Sequence, residues 1–337
     1  MPPAANIWAP TIAASNARRV QRFGLSRGVE PARIGLAGEL PSERVPARRM
    51  FELWSQLVAA LDPAAPIQVA EASSLEDLQL LGFTLITAPT VRDGLEAFMR
   101  FSPLLSDAFA WRLGGNGRAL EIRWQVRVAR DPGVCASLET SIAQVVKGIR
   151  QLAGDDVDPL RVSFGHAAPR RLAAHRAFFR CPIEFEAGAG PGAYRVLFPR
   201  HVLEAVPRQA NAALWSYLCA QADRSVATLG PQPLAARVRG EIADSLAAGN
   251  VPRLGDLADR LGTSERSLRR QLAADAISFR KLLDDQRRER AQELLSAPDA
   301  SVTRIALDLG FADSSALTHA CQRWFACPPG ELKRKPH

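Results

Sequence analysis

The sequence has little of what metal sites, disulfide scaffolds or membrane spans require. Its five cysteines (Cys135, Cys181, Cys219, Cys321 and Cys327) are odd in number, widely spaced and without a CxxC pair. That disfavours a disulfide framework and the usual zinc-ribbon spacings, and suits scattered thiols in a reducing compartment. No apolar run approaches the ~20 residues that span a bilayer. The mildly apolar beginning, MPPAANIWAPTIAASNARRV, carries its charges after the apolar stretch, so it does not read as a secretory signal. There is no GxSxG nucleophile elbow and no paired His-Glu metal motif. The glycines of EAGAGPG (186–192) lack the Lys-Ser/Thr of a phosphate loop. These absences lead us to expect a soluble cytoplasmic protein, not an enzyme, with no metal, no cofactor and no membrane contact.

Lysine is also scarce. Only Lys147, Lys281, Lys333 and Lys335 occur, against 39 arginines, in a chain of net charge +8. Arginine suits bidentate contacts to phosphate or carboxylate, although genome base composition also biases its use. The excess charge is not concentrated at one end. From residue 234 onward there are 17 basic and 14 acidic residues. What is present is a globular composition, 47% hydrophobic and 23% charged over 337 residues, enough for two domains.

The first two thirds mix periods. Residues 1–14 read as a loose leader. A helix is expected over 16–23, capped by Ser15 and stopped by Gly24. Residues 46–60 place Met50, Leu53, Trp54, Leu57 and Val58 on one helical face. Further helices are expected over 91–101 and 138–152. In 120–128 (LEIRWQVRV) apolar and polar residues alternate, which is the period of a half-buried strand, with 109–113 as its hairpin partner across GGNG. Residues 162–164, 183–185 and 194–198 are shorter strand candidates. A helix (ANAALWSYLCAQAD) and the sequence SVATLGPQPL follow, and Gly-Pro-Gln-Pro is the most plausible linker. Beyond it everything reads as helix.

The fold expected is therefore two-domain: a mixed α/β (α+β) N-terminal domain over 15–210, a helix and linker over 211–234, and an all-α domain over 235–335. The last carries the strongest signal. Two segments, 254–275 and 302–325, share one grammar. Each has a small Ala four residues before a Gly: Ala258 with Gly262, then Ala306 with Gly310. A helix crossing closely over another needs a small contact residue, and the sharp turn between them favours Gly. Leu257, Leu261, Ile305 and Leu309 would bury the first helices; Leu268, Leu272, Leu317 and Cys321 would bury the second. Ser264 and either Asp313 or Ser314 can cap the second helices. The faces left over present Arg266, Ser267, Arg269 and Arg270 in one, and Ser315, Thr318, His319, Gln322 and Arg323 in the other. Such helices fit a major groove. Between them, 278–295 forms a capped helix of roughly 25 Å, a suitable spacer for sites one DNA turn (about 34 Å) apart. The two motifs and their spacer predict tandem helix-turn-helix modules joined by a long helix. A solvated helix face is the alternative explanation of each arginine taken singly.

This stretch resembles the DNA-binding domain of the AraC/XylS family of bacterial transcription regulators. The residues carrying the likeness are Ile305, Ala306, Gly310, Phe311, Ser315, Leu317, His319, Cys321, Arg323 and Phe325, then Pro329, Leu332 and Lys333. Leu317 and Cys321 stand where the family has Phe, so apolar volume is lost, with Trp324 as the neighbour available to fill it. His319 stands where the family has Arg, which removes a fixed positive charge. Residues 78–107 and 164–207 are similar to the non-cupin, arabinose-binding-like sensing domain of regulators of the ornithine-utilisation type. The resemblance implies double-stranded promoter DNA as partner, an unknown small-molecule effector, a homodimer, and activation by recruiting RNA polymerase.

Within the sensing domain, His166, Arg176 and Arg180 are the candidate effector contacts, with surface ion pairing the alternative for the arginines. His166, His175 and His201 with Cys181 and Glu184 match no metal spacing. Phe101, Phe109, Trp111 and Trp124 are expected in the core, not in a ligand cage. Three alternatives stay open: a repressor, a protein-interaction regulator with a weakened second DNA-reading module, and an enzyme with a helical appendage.

Overall fold

The computed structural model describes residues 10–30, 43–115, 118–128, 130–185, 193–229, 234–247, 249–274, 277–295, 301–325 and 327–332. Two compact units result, one built on Met1–Phe185 and Tyr194–Gly230, the other on Pro231–His337.

The first unit mixes helices with strands. β1 (Thr11–Ala13) pairs antiparallel with β2 (Arg44–Pro46). The expected loose leader over 1–14 therefore gives way to structure at Thr11. Arg44 is the reason: its Nε donates to Thr11 Oγ1 at 2.7 Å and its Nη2 to Asp107 Oδ2 at 3.1 Å. α1 (Ala14–Ser26) leaves the strand directly, so Ser15 and Gly24 both lie inside it and not at its ends. The chain turns instead at Gly28, with φ +76°, where the Val29 N–H reaches the Gly24 carbonyl at 3.0 Å.

α2 (Ala47–Ala60), α3 (Ala65–Glu71), α4 (Leu80–Thr87) and α5 (Val91–Phe101) follow. α5 has the expected bounds because the Thr90 hydroxyl accepts from the Asp93 N–H at 3.2 Å. β3 (Phe109–Gly115) and β4 (Ala119–Val126) form the expected hairpin. α6 (Pro132–Ala153) begins before residue 138, since Asp131 Oδ1 accepts from the Val134 N–H at 2.8 Å and Pro132 suits a first turn. β5 (Arg161–Phe164), α7 (Ala173–Phe179), β6 (Ile183–Phe185), β7 (Arg195–Pro199) and α8 (Ala212–Thr228) complete the unit. The sheet order is β3-β4-β7-β5-β6, with only β5 and β6 parallel. Leu120, Ile122 and Trp124 of β4 are buried, and Trp124 Nε1 donates to Ser141 Oγ of α6 at 2.8 Å. The helix thus covers the apolar face that the alternating pattern predicts.

The second unit is all helix among the described residues: α9 (Leu234–Ala247), α10 (Leu254–Arg260), α11 (Glu265–Ala274), α12 (Phe279–Leu295), α13 (Val302–Asp308), α14 (Ser314–Phe325) and α15 (Pro329–Leu332). It has two small cores. Val238, Ile242, Leu257, Leu268 and Leu272 form one with Leu282 of α12. Ile305, Leu309, Leu317 and Cys321 form the other with Ala291 and Leu295, also of α12. The two ends of α12 therefore serve different cores, while buried Gln286 occupies its middle. The Gly-Pro-Gln-Pro segment (230–233), expected as the linker, lies outside the described residues.

Candidate nucleic-acid interface

The two helix pairs, α10 with α11 and α13 with α14, turn by the same device. Gly262 and Gly310 have φ +67° and +69°. At the first, the Gly262 N–H bonds the Asp259 carbonyl at 3.1 Å and the Thr263 N–H bonds that of Ala258 at 2.9 Å. At the second, the Gly310 N–H bonds Leu307 at 2.9 Å and the Phe311 N–H bonds Ala306 at 2.8 Å. This is the paired closure in which a left-handed glycine lets two N–H groups reach back to the last helical carbonyls. Ala258 and Ala306, both buried, supply the inner carbonyls. The small residue and the glycine thus belong to a single turn, as their spacing suggests.

The second helices are then capped alike. Ser264 Oγ accepts from the Ser267 N–H at 3.2 Å, and Asp313 Oδ1 accepts from the Ala316 N–H at 2.8 Å. Leu268 and Leu272 face inward at four and eight residues from the first cap; Leu317 and Cys321 do so from the second. Counting from the caps, Arg266 matches Ser315, Arg269 matches Thr318 and Arg270 matches His319. The second turn is longer by one residue.

The outward faces differ in charge. Arg266, Arg269 and Arg270 are exposed on α11. Arg269 meets Glu265, at 2.6 Å one helical turn away, and such an exposed pair holds a side chain weakly. Ser267 is half-buried, its N–H already used by the cap. On α14, Ser315, His319, Gln322 and Arg323 are exposed, while Thr318 is half-buried with its hydroxyl donating to the Ser314 carbonyl at 2.8 Å. Arg323 Nη2 pairs with Asp284 of α12 at 2.8 Å, and Trp324 Nε1 donates to the same carboxylate at 3.0 Å. Trp324 also meets Phe311 edge to face at 5.9 Å, which fills volume beside Leu317 and Cys321. Burial pushes the Cys321 thiol up to about 11, and the neighbouring Cys327 adds to the shift, so the thiol stays protonated. Pro329 is buried and Phe325 half-buried against the same core; Lys333 lies outside the described residues.

Sequence reasoning missed Arg287. Its Nε donates to the Leu309 carbonyl at 2.8 Å and its Nη2 to that of Gly310 at 3.2 Å, and its guanidinium lies 5.0 Å from the Phe311 ring centre. α12 thereby grips the turn of the second pair. At its other face Arg239 of α9 meets Glu289 at 3.2 Å. A lone arginine in a run of charges gives no sign of such a role.

A family model for the arabinose-binding N-terminal domain of AraC transcription regulators matches residues 24–206, and a helix-turn-helix domain model matches residues 257–335. The chain belongs to the AraC/XylS family of transcription regulators. It is similar to the regulator VirS of Mycobacterium tuberculosis, 29% identical over 98% of this chain and 95% of that one. It is also similar to the ornithine utilization regulator of Pseudomonas aeruginosa, 25% identical over 82% and 80% of the two chains. The crystal structure of the transcriptional regulator CdpR of Pseudomonas aeruginosa shares the fold, with TM-score 0.50 at 20% identity over 95% of this chain and 98% of that one. This AraC/XylS-family chain is thus a DNA-binding regulator of two domains, a mixed α/β sensing domain and an all-α domain bearing a helix-turn-helix. No described helix is long and apolar enough to cross a membrane.

In the sensing domain of this AraC/XylS-family chain the three candidate effector contacts do not converge. Arg176 and Arg180 are exposed, and Arg180 pairs with Asp158 at 2.7 Å. His166 is drawn inward instead. Its Nε2 lies 2.8 Å from Glu139 Oε1, its Nδ1 3.1 Å from the Tyr194 hydroxyl, and fully buried His175 meets Glu139 Oε2 at 2.8 Å. Burial opposes the charge of His166, but Cys135 and Glu139 beside it outweigh that and push its pKa up to about 9. Burial also opposes ionisation of Glu139, yet the two histidines hold its pKa below the ordinary carboxylate value. His201, Cys181 and Glu184 take no part in this group. Among the described residues no cluster of three or more His, Cys, Asp or Glu has the geometry of a metal site. Phe101 and Trp124 are core residues as expected, whereas Phe109 and Trp111, also buried, border a cavity.

Proposed function

We propose that this regulator reads promoter DNA with both helix pairs, each acting as a helix-turn-helix module, with α12 as the rigid spacer. The observation that carries this is the repetition of one turn geometry at Gly262 and Gly310, each followed by a capped helix with a polar outer face. Residues 235–335 bind DNA. Residues 15–210 sense a small molecule and form the homodimer, with 211–234 connecting the two. Arg266, Arg269 and Arg270 supply phosphate or guanine contacts. Ser315, Thr318, His319 and Gln322 test base edges, and the helix starts at Ser264 and Ser267 take a phosphate. Arg323 contributes once Asp284 releases it. Ala258, Gly262, Leu268, Ala306, Gly310, Phe311, Leu317, Phe325 and Pro329 shape the two modules. In the cell the protein works in the cytoplasm, on the nucleoid when bound, and activates adjacent metabolic genes by recruiting RNA polymerase.

Footprinting the neighbouring promoter tests this. Protection should cover two successive major grooves on one face of the duplex, and removal of residues 300–337 should reduce it to one. Protection of a single groove by the full chain overturns the tandem reading. A second reading rests on a specific observation: α14 lacks the arginines of α11, and its Arg323 is held by Asp284. On that reading the second module has surrendered DNA for a protein partner. A footprint unchanged by the deletion would favour it. A promoter fusion measured with and without the gene separates activation from repression.

A further inference from the structure

A cavity of about 100 Å³ lies in the first unit, its lining including Trp54, Leu85, Phe98, Phe109, Trp111 and Leu152. One water needs only ~15 Å³ of such space, so a small organic molecule has room. Among the residues that line it, Trp54 Nε1, Trp111 Nε1 and Arg19 Nε are buried donors with no acceptor among the described residues, each nitrogen closed off from the cavity itself. All three can only donate. Among the described residues, the side-chain oxygen bonded to Arg19 is neutral, Asn16 Oδ1 at 2.8 Å from Nη2. Desolvation lowers the Arg19 pKa, and the attraction of Asp77 offsets only part of that. The same arginine borders a smaller adjoining hollow with Ser73, Ser74, Lys147 and Gln151. The cavity therefore has a polar, cationic end and an aromatic, aliphatic interior.

Such an arrangement is costly in the empty protein. Unpaired buried donors and a poorly compensated, half-buried cation are both penalised, and a methionine would fill the same space without penalty. A molecule offering a negatively charged oxygen pair and an apolar body compensates the arginine and fills the apolar space.

We propose that this cavity is the effector site, and that the effector is a small monocarboxylic acid with an aliphatic or aromatic body, its carboxylate held by Arg19 and its body packed among Trp54, Phe98 and Trp111. The assignment rests on the first unit being the sensing domain, and it replaces His166, Arg176 and Arg180 as the contacts. Arg19 supplies a charge-assisted, fork-shaped contact, the indoles pack against the ligand's body, and the apolar wall excludes sugars and diacids.

The test uses full-length protein titrated with phenylacetate and with hexanoate, with 2-phenylethanol and hexan-1-ol as uncharged controls. Tryptophan fluorescence and melting temperature are followed. An acid should give a saturable fluorescence change and a raised melting temperature; the alcohols should give neither. Arg19→Gln should weaken acid binding about 10- to 100-fold, Arg19→Lys less. The unliganded Arg19→Gln protein should melt no lower than the parent. Trp54→Phe, which removes one of the two fused rings that the ligand's body packs against, should weaken binding several-fold. The proposal falls if neither acid saturates, if the alcohols bind as well, if Arg19→Gln binds equally, or if that variant melts well below the parent, which would make the cation structural. The promoter footprint is measured on the same preparations. Silent acids with an intact footprint overturn this proposal and leave the regulator reading standing; saturable acids with no footprint overturn the regulator reading and leave this site standing.

Discussion

Gly262 and Gly310 look interchangeable in sequence, yet their surroundings differ. Both adopt a left-handed φ, where a β-carbon costs ~1–2 kcal/mol. A β-carbon at Gly262 would meet open space, whereas at Gly310 it would lie 2.3 Å from Val251 Cγ2. Gly262→Ala is therefore expected to cost ~1 kcal/mol and Gly310→Ala ~2 kcal/mol or more, read from chemical unfolding of the full chain. Equal losses would show that Val251 yields freely. Charge at the interface is also a matter of single residues. Arg269→Ala should cost ~1–3 kcal/mol at particular base pairs if the guanidinium bonds guanine. If it touches phosphate only, all sequences weaken alike and the salt dependence falls. His319→Arg should tighten binding and steepen the salt dependence by about one phosphate's worth. Affinity unchanged across a salt titration would place position 319 away from DNA.

At the scale of elements, α12 decides whether two reading helices act as one surface. Its ends belong to separate cores, and polar contacts near its middle add to the hold that Ala291 and Leu295 have on the second pair. Arg287 supplies these by bonding the Leu309 and Gly310 carbonyls. Arg287→Met keeps the stem and removes the donors. It should cost ~2 kcal/mol and shrink the promoter footprint toward one groove; an unaltered footprint would show that the turn holds itself. The elements of both units were legible in proportion to their own local signals. α5 and the β3–β4 hairpin combine a clear period with a cap or turn, and their positions follow from the residues alone. α4 (LLGFTLIT) is apolar all round and eight residues long, so it has no amphipathic period to find. α3 and α7 have seven residues each, too short for a reliable pattern. α1 misleads because Ser15 looks like a cap, while the real start is set by the strand pairing of Thr11–Ala13.

For the whole molecule, the division into a sensing unit and a reading unit was legible because the period changes from mixed to wholly helical along the chain. The interior chemistry of the sensing unit was not. Glu139, His166 and His175 meet across 27 and 36 residues of sequence, a separation that carries no local spacing signal. The cavity donors are equally scattered, over Arg19, Trp54 and Trp111. Their meeting has a consequence for global stability. The His166 pKa is raised from 6.5 to about 9 on folding, so its contribution is complete below pH 6.5 and disappears as pH rises through about 9. Glu139 is depressed from 4.5, so its contribution is complete above pH 4.5 and disappears as pH falls through the lower, folded value. Between those limits Cys135 and Glu139 around His166 hold the sensing unit most strongly, the raised histidine being worth roughly 3 kcal/mol. Melting of the full chain should show a first-unit transition that is flat from pH 4.5 to 6.5 and declines toward pH 9. Glu139→Gln should lower the plateau and flatten the alkaline decline, because the charged histidine then lacks its anionic partner. A decline of the same slope in the variant would mean that other groups, and not this pair, set the alkaline limit of the regulator.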